Sequence, residues 1–295
     1  MMKSHTTPVL AIDGGGTRCR IALRGVGNFT RVETGSANVS TNFEAAIREI
    51  LSGLTQLAKE SGVAMQRLCS IPAYAGLAGV TGAAIAGRVA AALPLQHIRV
   101  EDDRPSALRG AVGAGDGFVA HCGTGSFVAA RVDGIVRLAG GWGSVLGDPS
   151  SAQWVGRQAL ARTLVIADGL ADVSELSASM MDRFGGTAGI VAFAASASPA
   201  EFGELAPAVS KAAANGDTLA LSVMQDAAFE MAETLRKMGW RDGFPICLTG
   251  GIGPIYAGYL PADMRACLTP KQGEPMDGAL SLAEDFSREV ADGGH

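Results

Sequence analysis

Three glycine-rich turns are the features of this sequence whose residue types and spacing could do chemistry. They are Asp13-Gly14-Gly15-Gly16-Thr17, Gly123-Thr124-Gly125-Ser126 and Gly250-Gly251-Ile252-Gly253, and each follows a short apolar run. Because glycine has no Cβ and tolerates positive φ, backbone amides in such turns can approach a phosphate closely. For any one of them taken alone, an ordinary tight turn is as good an explanation as a phosphate site, or a better one. Three turns in this order favour phosphate binding.

The first turn carries two further groups that suit a nucleotide. Thr17 adds a hydroxyl donor, and Asp13 stands at a predicted strand end, where it could hold Mg²⁺ directly or through water. The turn is not a P-loop, because the sequence contains no G-x-x-x-x-G-K-[ST] run. It is not a dinucleotide-binding turn either, because a strand rather than a helix is predicted after it.

Acidic residues at two places could take part in a reaction. Asp102 and Asp103 close a predicted strand, where a carboxylate could accept the proton of an attacking hydroxyl. The alternative for this pair is an acidic helix start. Asp148 ends a glycine-rich loop around Trp142, and the ring, small donors and carboxylate suit a sugar. The alternative is a buried loop that Trp142 anchors.

The elements that must position these groups follow one pattern twice. Strand, glycine turn, strand, strand is predicted from residue 9 and again from residue 117, so two related α/β halves are expected. Thr41-Asn42-Phe43-Glu44 has capping-box spacing and predicts a helix that ends at Gly62. The other predicted elements are strands at 69–77, 98–100 and 245–249 and helices at 81–93, 106–112, 151–167, 173–184, 199–214, 217–238 and 276–290.

Two domains are expected from this pattern. The first covers residues 1–113 and the second covers 114–275 with helical insertions, while the last helix, about 276–290, packs back on the first domain. A hinge is expected within 113–117. The four histidines lack metal-ligand spacing and are expected to be structural.

Composition restricts the partners and the compartment. A net charge of −5 argues against nucleic acid and anionic membranes as partners. The five cysteines are scattered without a C-x-x-C pair, which fits packing roles in a reducing cytoplasm. No signal peptide or membrane-spanning segment is expected.

Taken together, the motifs resemble the BadF/BadG/BcrA/BcrD-type ATPase family, and within it the N-acetylglucosamine and glucosamine kinases. The resemblance covers nearly the whole chain. It rests on the three turns, on Arg18 and Arg20, and on Gly35-Ser36-Ala37-Asn38, Gly140-Gly141-Trp142-Gly143 and Gly147-Asp148. It implies an α/β actin-like ATPase fold of two ribonuclease-H-like domains, with ATP in the interdomain cleft.

The resemblance also implies roles for individual residues. Asp103 would be the catalytic base, and Asp13 would hold Mg²⁺. The ATP-binding positions would be Gly14, Gly15, Gly16, Thr17, Arg18, Gly123, Thr124, Gly125, Ser126, Gly250, Gly251 and Gly253. The amino-sugar positions would be Asn38, Asp103, Thr124, Gly141, Trp142 and Asp148.

The implied activity is transfer of a phosphoryl group from ATP to the 6-hydroxyl of N-acetylglucosamine or glucosamine by a cytoplasmic homodimer. Three positions depart from the family pattern: Pro149 and Ser150 replace the usual Glu and Gly, and Ala78 replaces a serine. These departures concern the acyl-group specificity. The rival functions are an ATP-driven activator of electron transfer with a cysteine-bound iron–sulfur cluster, and a catalytically silent sugar sensor.

Overall fold

Two compact units make up the chain in the computed structural model, which describes residues 7–293. The first unit consists of the chain up to Gly115 and from Lys271, and the second runs from Asp116 to Pro270. The unit borders therefore lie within a few residues of positions 113 and 275. Each unit is built on a sheet of its own, and each has its own hydrophobic core.

Each unit begins with three consecutive strands, which helices and further strands follow. The strands are β1 (Val9–Gly14), β2 (Cys19–Arg24), β3 (Thr30–Thr34), β4 (Ala73–Leu77), β5 (Ile98–Glu101), β6 (Gly117–Cys122), β7 (Ser126–Val132), β8 (Ile135–Gly140) and β9 (Ile246–Thr249). The helices are α1 (Phe43–Ser61), α2 (Met65–Cys69), α3 (Ala83–Ala92), α4 (Arg104–Val112), α5 (Ala152–Ala167), α6 (Glu175–Phe184), α7 (Thr187–Ser196), α8 (Pro199–Gly203), α9 (Ala206–Ala214), α10 (Thr218–Lys237), α11 (Ala262–Ala266) and α12 (Pro275–Asp292), with a 3-10 helix at Gly253–Gly258.

The first unit has a five-stranded sheet in the order β3-β2-β1-β4-β5. The first three strands are antiparallel, and β4 and β5 run parallel to β1. Every residue of β1 is buried because both faces of the sheet are covered. Leu10 and Ile12 join the core that includes α1, whereas Val9 and Ala11 pack with α12. Successive side chains of a strand point to opposite faces, so β1 is apolar throughout.

The second unit repeats this arrangement. Its sheet has the order β8-β7-β6-β9, with the first three strands antiparallel and β9 parallel to β6. Leu268 adds a single parallel bridge to Ile246 and takes the place that β5 has in the first unit. Both units therefore have the ribonuclease-H-like strand order, and the predicted fold class is confirmed for each of them. Helices α5 to α10 supply most of the core of the second unit.

The start of α1 differs from the predicted capping box by one residue. The N-cap is Asn42 rather than Thr41, and its side-chain oxygen accepts a hydrogen bond from the backbone N–H of Ala45 at 3.0 Å. Asparagine and threonine can both cap, so their adjacency left the register open. The predicted end is confirmed, because Gly62 has a φ of 70°, in the left-handed region.

Two other predicted elements are also corrected. The strand expected over 69–77 covers only Ala73–Leu77, because Met65–Cys69 form a short helix that buries Leu68 and Cys69. The helix expected over 199–214 is interrupted after Gly203, and α9 restarts with Pro207 in its first turn. Proline lacks the N–H that a continuous helix would need at that position. In residues 7–293, no helix is both long and apolar enough to cross a bilayer.

Helices α4 and α12 touch through their backbones, and this contact fixes the start of α4. A Cβ on Gly278 of α12 would overlap the carbonyl oxygen of Ser106, and a Cβ on Gly110 of α4 would overlap that of Glu274. Glycine is therefore required at both positions by packing. The same contact holds the residue before α4, which is Asp103.

We expect Gly278→Ala to lower the free energy of unfolding by about 2 kcal/mol or more, because an added methyl has no space there. Gly87→Ala in α3 is the matched control, since Gly87 is exposed and its Cβ would have no neighbour within 4 Å. The control should instead be stabilising by up to about 1 kcal/mol. Urea unfolding of both variants checks the prediction, and equal midpoints would contradict it.

Candidate active site

The first glycine turn joins β1 to β2 and divides into a buried part and an exposed part. A Cβ on Gly14 would lie 2.6 Å from the side chain of Leu77, and the Gly15 N–H already donates to the Arg18 carbonyl at 2.9 Å. Gly16, by contrast, is exposed and has open space around it, as Thr17 and Arg18 are exposed. The tip of the turn is therefore the part that a ligand can reach.

Asp13 lies directly before this turn and is almost fully buried. It faces Arg20 across the β1–β2 pair, and the Arg20 Nη1 lies 3.2 Å from its Oδ2. Burial raises the pKa of the Asp13 carboxyl, while the charge and hydrogen bond of Arg20 oppose the rise. A carboxylate held in this way is partly desolvated and has one cation beside it.

Asp103 lies at the end of β5 and occupies the N-cap position of α4, but its side chain makes no capping hydrogen bond. The helix start is stabilised by other groups. The Asp103 backbone carbonyl accepts from the Ser106 hydroxyl at 2.7 Å, and Asp102 binds the Arg104 backbone N–H at 2.9 Å and its side chain. Asp102 thus fits the helix-start alternative, whereas the Asp103 carboxyl is left for another role.

The pKa of Asp103 is raised to about 7, first by burial and then by the negative charges of Asp102 and Asp13. A base whose pKa lies close to the working pH is efficient at accepting a proton. The fold thus places a carboxyl group that could accept a proton after the carboxyl end of a parallel strand, close to the Asp102 carboxylate.

Asn38 lies in the same unit, after β3. Its side-chain oxygen accepts from the Ser40 N–H at 3.0 Å, from the Ser40 hydroxyl at 2.8 Å and from the Thr41 N–H at 3.2 Å. The oxygen is therefore fully used, and the NH₂ group is the part that can donate to a ligand. Ala78 lies between the first turn and this segment, because its N–H donates to Gly14 and its carbonyl accepts from Val39.

The second glycine turn joins β6 to β7 in the other unit. The Gly123 N–H donates to the Gly125 carbonyl at 2.9 Å, and the Ser126 hydroxyl donates to the Pro149 carbonyl at 2.6 Å. A Cβ on Gly125 would lie 2.8 Å from an oxygen of Asp148, while Thr124 is exposed. The turn therefore packs directly on the Asp148 loop.

Asp148 is buried, with 5% of its surface exposed, and has a φ of 61°. Burial raises its pKa, although hydrogen bonds from the backbone N–H groups of Ser126 and Gly143 oppose the rise. Within the described part of the chain, its Oδ1 atom has no hydrogen-bond partner. An unsatisfied buried acceptor is costly, so this oxygen calls for a donor from a ligand or water.

The loop before Asp148 is exposed, contrary to the alternative of a buried loop anchored by Trp142. Trp142 is 64% exposed, Gly141 is exposed, and Val145 and Leu146 are exposed as well. Large exposed apolar side chains in one loop are typical of a binding surface.

The third glycine turn follows β9 and lies on the end of β6. Gly250 has a φ of 82°, and a Cβ there would overlap the carbonyl of Cys122; the Ile252 N–H donates to the same carbonyl at 3.1 Å. Gly251 has no neighbour within 4 Å of its Cβ position. The second and third turns therefore meet at one end of the sheet.

A cavity of about 570 Å³ opens beside these two turns. Its lining residues come from the turns, from the start of α5, from the α8–α9 segment and from the 3-10 helix: Gly123, Thr124, Ala152, Gly203, Ala206, Pro207, Ser210, Gly251, Ile252 and Ile255. The sequence motifs did not predict that α8–α9 residues line a cavity. One continuous helix was predicted there, whereas the cavity depends on the break between α8 and α9.

A model of the BadF/BadG/BcrA/BcrD ATPase family matches residues 10–259. The chain belongs to this family. Among its relatives, glucosamine kinase GspK of Vibrio cholerae is 27% identical over 278 residues, covering 93% of this chain and 95% of the relative. The family resemblance inferred from the motifs is confirmed.

Solved structures agree with this membership. A Chromobacterium violaceum protein assigned provisionally as an N-acetylglucosamine kinase has a TM-score of 0.78 and 30% identity, covering 95% of this chain and 99% of its own. A ROK family glucokinase of Streptomyces griseus, solved with glucose and AMPPNP, has a TM-score of 0.52 and 14% identity over 96% of this chain and 99% of its own. The second likeness shows the shared fold alone.

Ser150 follows the Asp148 loop at a position where the family resemblance implies a glycine. Its φ is 67°, which explains why glycine is favoured there. The Ser150 hydroxyl donates to the Ala227 carbonyl at 2.6 Å, and its own carbonyl accepts from the Tyr256 hydroxyl at 2.7 Å. These buried hydrogen bonds compensate for a strained backbone, so the loop keeps its conformation without glycine.

The raised pKa of Asp103 has a consequence for stability. Above about pH 7 the folded protein must hold an ionised buried carboxylate, whereas below pH 7 the folded state protonates before the unfolded one and gains stability. We expect Asp103→Asn to raise the free energy of unfolding by about 1 to 3 kcal/mol at pH 8 and to have little effect near pH 4.

Urea unfolding at both pH values measures this difference. Asp242→Asn, at an exposed aspartate, is the control and should change stability little at either pH. A destabilised Asp103→Asn protein at pH 8 would mean that the carboxylate is held by favourable contacts rather than by burial.

Proposed function

We propose that the protein transfers a phosphoryl group from ATP to the 6-hydroxyl of an amino sugar, either N-acetylglucosamine or glucosamine. The observation that carries this proposal is Asp103, a partly buried carboxyl with a pKa of about 7 that takes no part in capping its helix. A kinase needs such a group to orient an acceptor hydroxyl and to take its proton. The glucosamine kinase relative supports the same acceptor class.

The nucleotide would bind at the glycine turns. The exposed amides of Gly16 and its neighbours, and those of the second turn, would offset charge on the phosphates, as backbone amides do in other phosphate sites. The cavity of about 570 Å³ beside the second and third turns has a size that suits an adenosine group. Gly251 and Thr124 line it, together with apolar and hydroxyl groups of α9.

Mg²⁺ would be held by Asp13. No cluster of three or more metal-binding side chains occurs in residues 7–293, and a single carboxylate fits an ion that takes most of its ligands from phosphates and water. Asp13 offers such a carboxylate next to the first turn, already partly desolvated. When bound, the ion would neutralise charge on the ATP phosphates.

The acceptor sugar would be bound by hydrogen-bonding side chains, those of Asn38 and Asp148. The Asn38 NH₂ group can donate, and the unpartnered Oδ1 of Asp148 can accept from a hydroxyl or an ammonium group. The exposed Trp142 ring and the backbone at Gly141 suit the face of a sugar. Ala78 presents a methyl where a serine would add a hydroxyl, so the N-acyl group has one polar partner fewer.

In the reaction, Asp103 would accept a hydrogen bond from the sugar 6-hydroxyl and orient its oxygen toward the γ-phosphorus of ATP. The new bond forms between that oxygen and phosphorus, while the bond from phosphorus to the bridging β-γ oxygen breaks and ADP leaves. The hydroxyl proton passes to Asp103 and then to solvent. Exposed amides of the turns stabilise the charge on the transferring group.

Release of ADP across a panel of sugars tests this function. We expect release that depends on N-acetylglucosamine or glucosamine, with glucose and N-acetylmuramic acid as comparison sugars and with the 6-phosphate as product by mass spectrometry. A 6-deoxy amino sugar should give no phosphorylated product. Sugar-independent ADP release by a coloured protein would favour the activator of electron transfer, and sugar binding without turnover would favour the sensor.

Replacement of the base tests the mechanism. We expect Asp103→Asn to lower kcat for sugar phosphorylation by about 10² to 10⁴-fold, because the proton acceptor is lost, while the affinity for ATP stays largely intact. Isothermal titration with a non-hydrolysable ATP analogue measures the affinity, and coupled ADP release measures kcat.

Asp102→Asn is the matched control for that variant. It should keep turnover and move the acid limb of the kcat/KM profile to lower pH, because it removes a negative charge that raises the pKa of Asp103. Near-normal turnover of Asp103→Asn would refute the assignment of the base.

A further inference from the structure

His121, Phe127 and Thr249 form a row across three neighbouring strands of the second unit. His121 of β6 lies opposite Phe127 of β7 and opposite Thr249 of β9 in the sheet register. Its ring stacks on that of Phe127, with centroids 5.0 Å apart and planes at 16°. Its Nδ1 lies 3.1 Å from the Thr249 hydroxyl oxygen. Directly opposed residues share a face of the sheet, so the row is fixed from both sides.

Each member of this row stands next to a glycine turn. His121 comes two residues before Gly123, Phe127 directly follows the second turn, and Thr249 directly precedes Gly250 of the third. A Cβ on Gly123 would lie 3.1 Å from the second ring nitrogen, Nε2. The imidazole therefore packs against the backbone of one turn and is hydrogen-bonded to the residue that directly precedes the other.

The two turns touch through the backbone, because the Ile252 N–H donates to the Cys122 carbonyl at 3.1 Å. Both are rich in glycine, and the Gly251 Cβ position has no neighbour within 4 Å. Yet both line the same cavity, so a ligand there meets amides from both at once. Donors aimed at a developing charge act strongly only when their positions are set before the ligand arrives. Side chains outside the turns can add to this backbone contact in setting the spacing of the turns.

The ring of His121 contributes to this spacing through its shape and its hydrogen bond. Burial lowers the pKa of His121, which keeps the imidazole neutral near pH 7. A neutral ring has one nitrogen that donates and one that accepts, so a single bond to the Thr249 hydroxyl satisfies Nδ1 in either tautomer. The stack on Phe127 fixes the plane of the ring.

We propose that His121 is a positioning residue for the nucleotide: by stacking on Phe127 and bonding to Thr249 it holds the second and third glycine turns at the spacing that ATP requires. This inference rests on the proposed function, because it presumes that the two turns bind a nucleotide. It assigns to His121 a role in ATP affinity rather than in the proton transfer or in sugar binding.

Substitutions along the row test the proposal. His121→Phe keeps an aromatic ring for the stack but loses Nδ1, and Thr249→Val keeps the shape of threonine but loses its hydroxyl. We expect each to raise KM for ATP and Kd for a non-hydrolysable ATP analogue by about 5- to 20-fold, the effect of one lost hydrogen bond. Sugar KM should change little, and the thermal midpoint should fall by no more than a few degrees, as expected for one lost hydrogen bond.

Three further variants sharpen the test. His121→Asn places a polar atom near the position of Nδ1, and Thr249→Ser keeps the hydroxyl; both should recover most of the ATP affinity. The double variant His121→Phe with Thr249→Val should weaken ATP binding no more than either single change, because one shared bond is lost. Additive losses would overturn the coupling between the two turns.

The outcomes are distinguishable from failure of the proposed function. If the wild-type protein bound no ATP analogue and released no ADP, the proposed function would fall. If wild type is active while His121→Phe and Thr249→Val both keep its ATP affinity, the inference alone is wrong. Should His121→Phe fail to fold, the pair Thr249→Val and Thr249→Ser decides the question, since serine must recover what valine loses.

Discussion

The desolvation of acidic side chains at strand ends is the constraint on which the candidate site depends. In the first unit, Asp13 lies near the carboxyl end of β1 and Asp103 follows β5. The two strands run in the same direction in one sheet, so both residues lie at the same end of the sheet. Burial is the largest influence on the pKa of each, and the negative charge of Asp13 further raises the pKa of Asp103. Arg20 partly compensates Asp13, whereas Asp103 has no capping role to stabilise it. The carboxyl groups at this end of the sheet could thus bind a cation, at Asp13, and accept a proton, at Asp103.

Burial of these carboxyls lowers the stability of the fold, and the packing around them offsets that loss. Helix α12 returns to the first unit and contacts α4 through Gly110 and Gly278, where no side chain would fit. This backbone contact helps to set the start of α4, whose N-cap residue, Asp103, makes no capping hydrogen bond through its side chain. Asp102 and Arg104 complete the helix start. A site residue can therefore be left without a structural role because its neighbours perform that role.

Much of this could be predicted from the sequence, because glycine turns and apolar runs are local signals. The three turns and the strands around them follow from residue type and from the period of the pattern. What could not be predicted depends on tertiary contacts. Asn42 rather than Thr41 caps α1, since two adjacent capping residues differ only in the final packing. The cavity residues Gly203 and Pro207 lie at a helix break that an apolar pattern does not reveal.

Family membership and the individual site residues carry different information about specificity. Ser150 departs from the family pattern, yet its buried hydrogen bonds preserve a left-handed backbone that glycine would adopt without strain. That departure therefore alters the loop's chemistry little. Ala78 and Pro149 are different, because neither side chain can form the hydrogen bonds of the serine and glutamate that the family usually has there. With those partners absent, the unpartnered oxygen of Asp148 becomes a larger share of the polar surface available to the acceptor. For the proposed amino-sugar acceptor, we therefore expect discrimination between an acetamido group and a free amino group to depend on Asp148 and on the methyl of Ala78, rather than on the glycine turns.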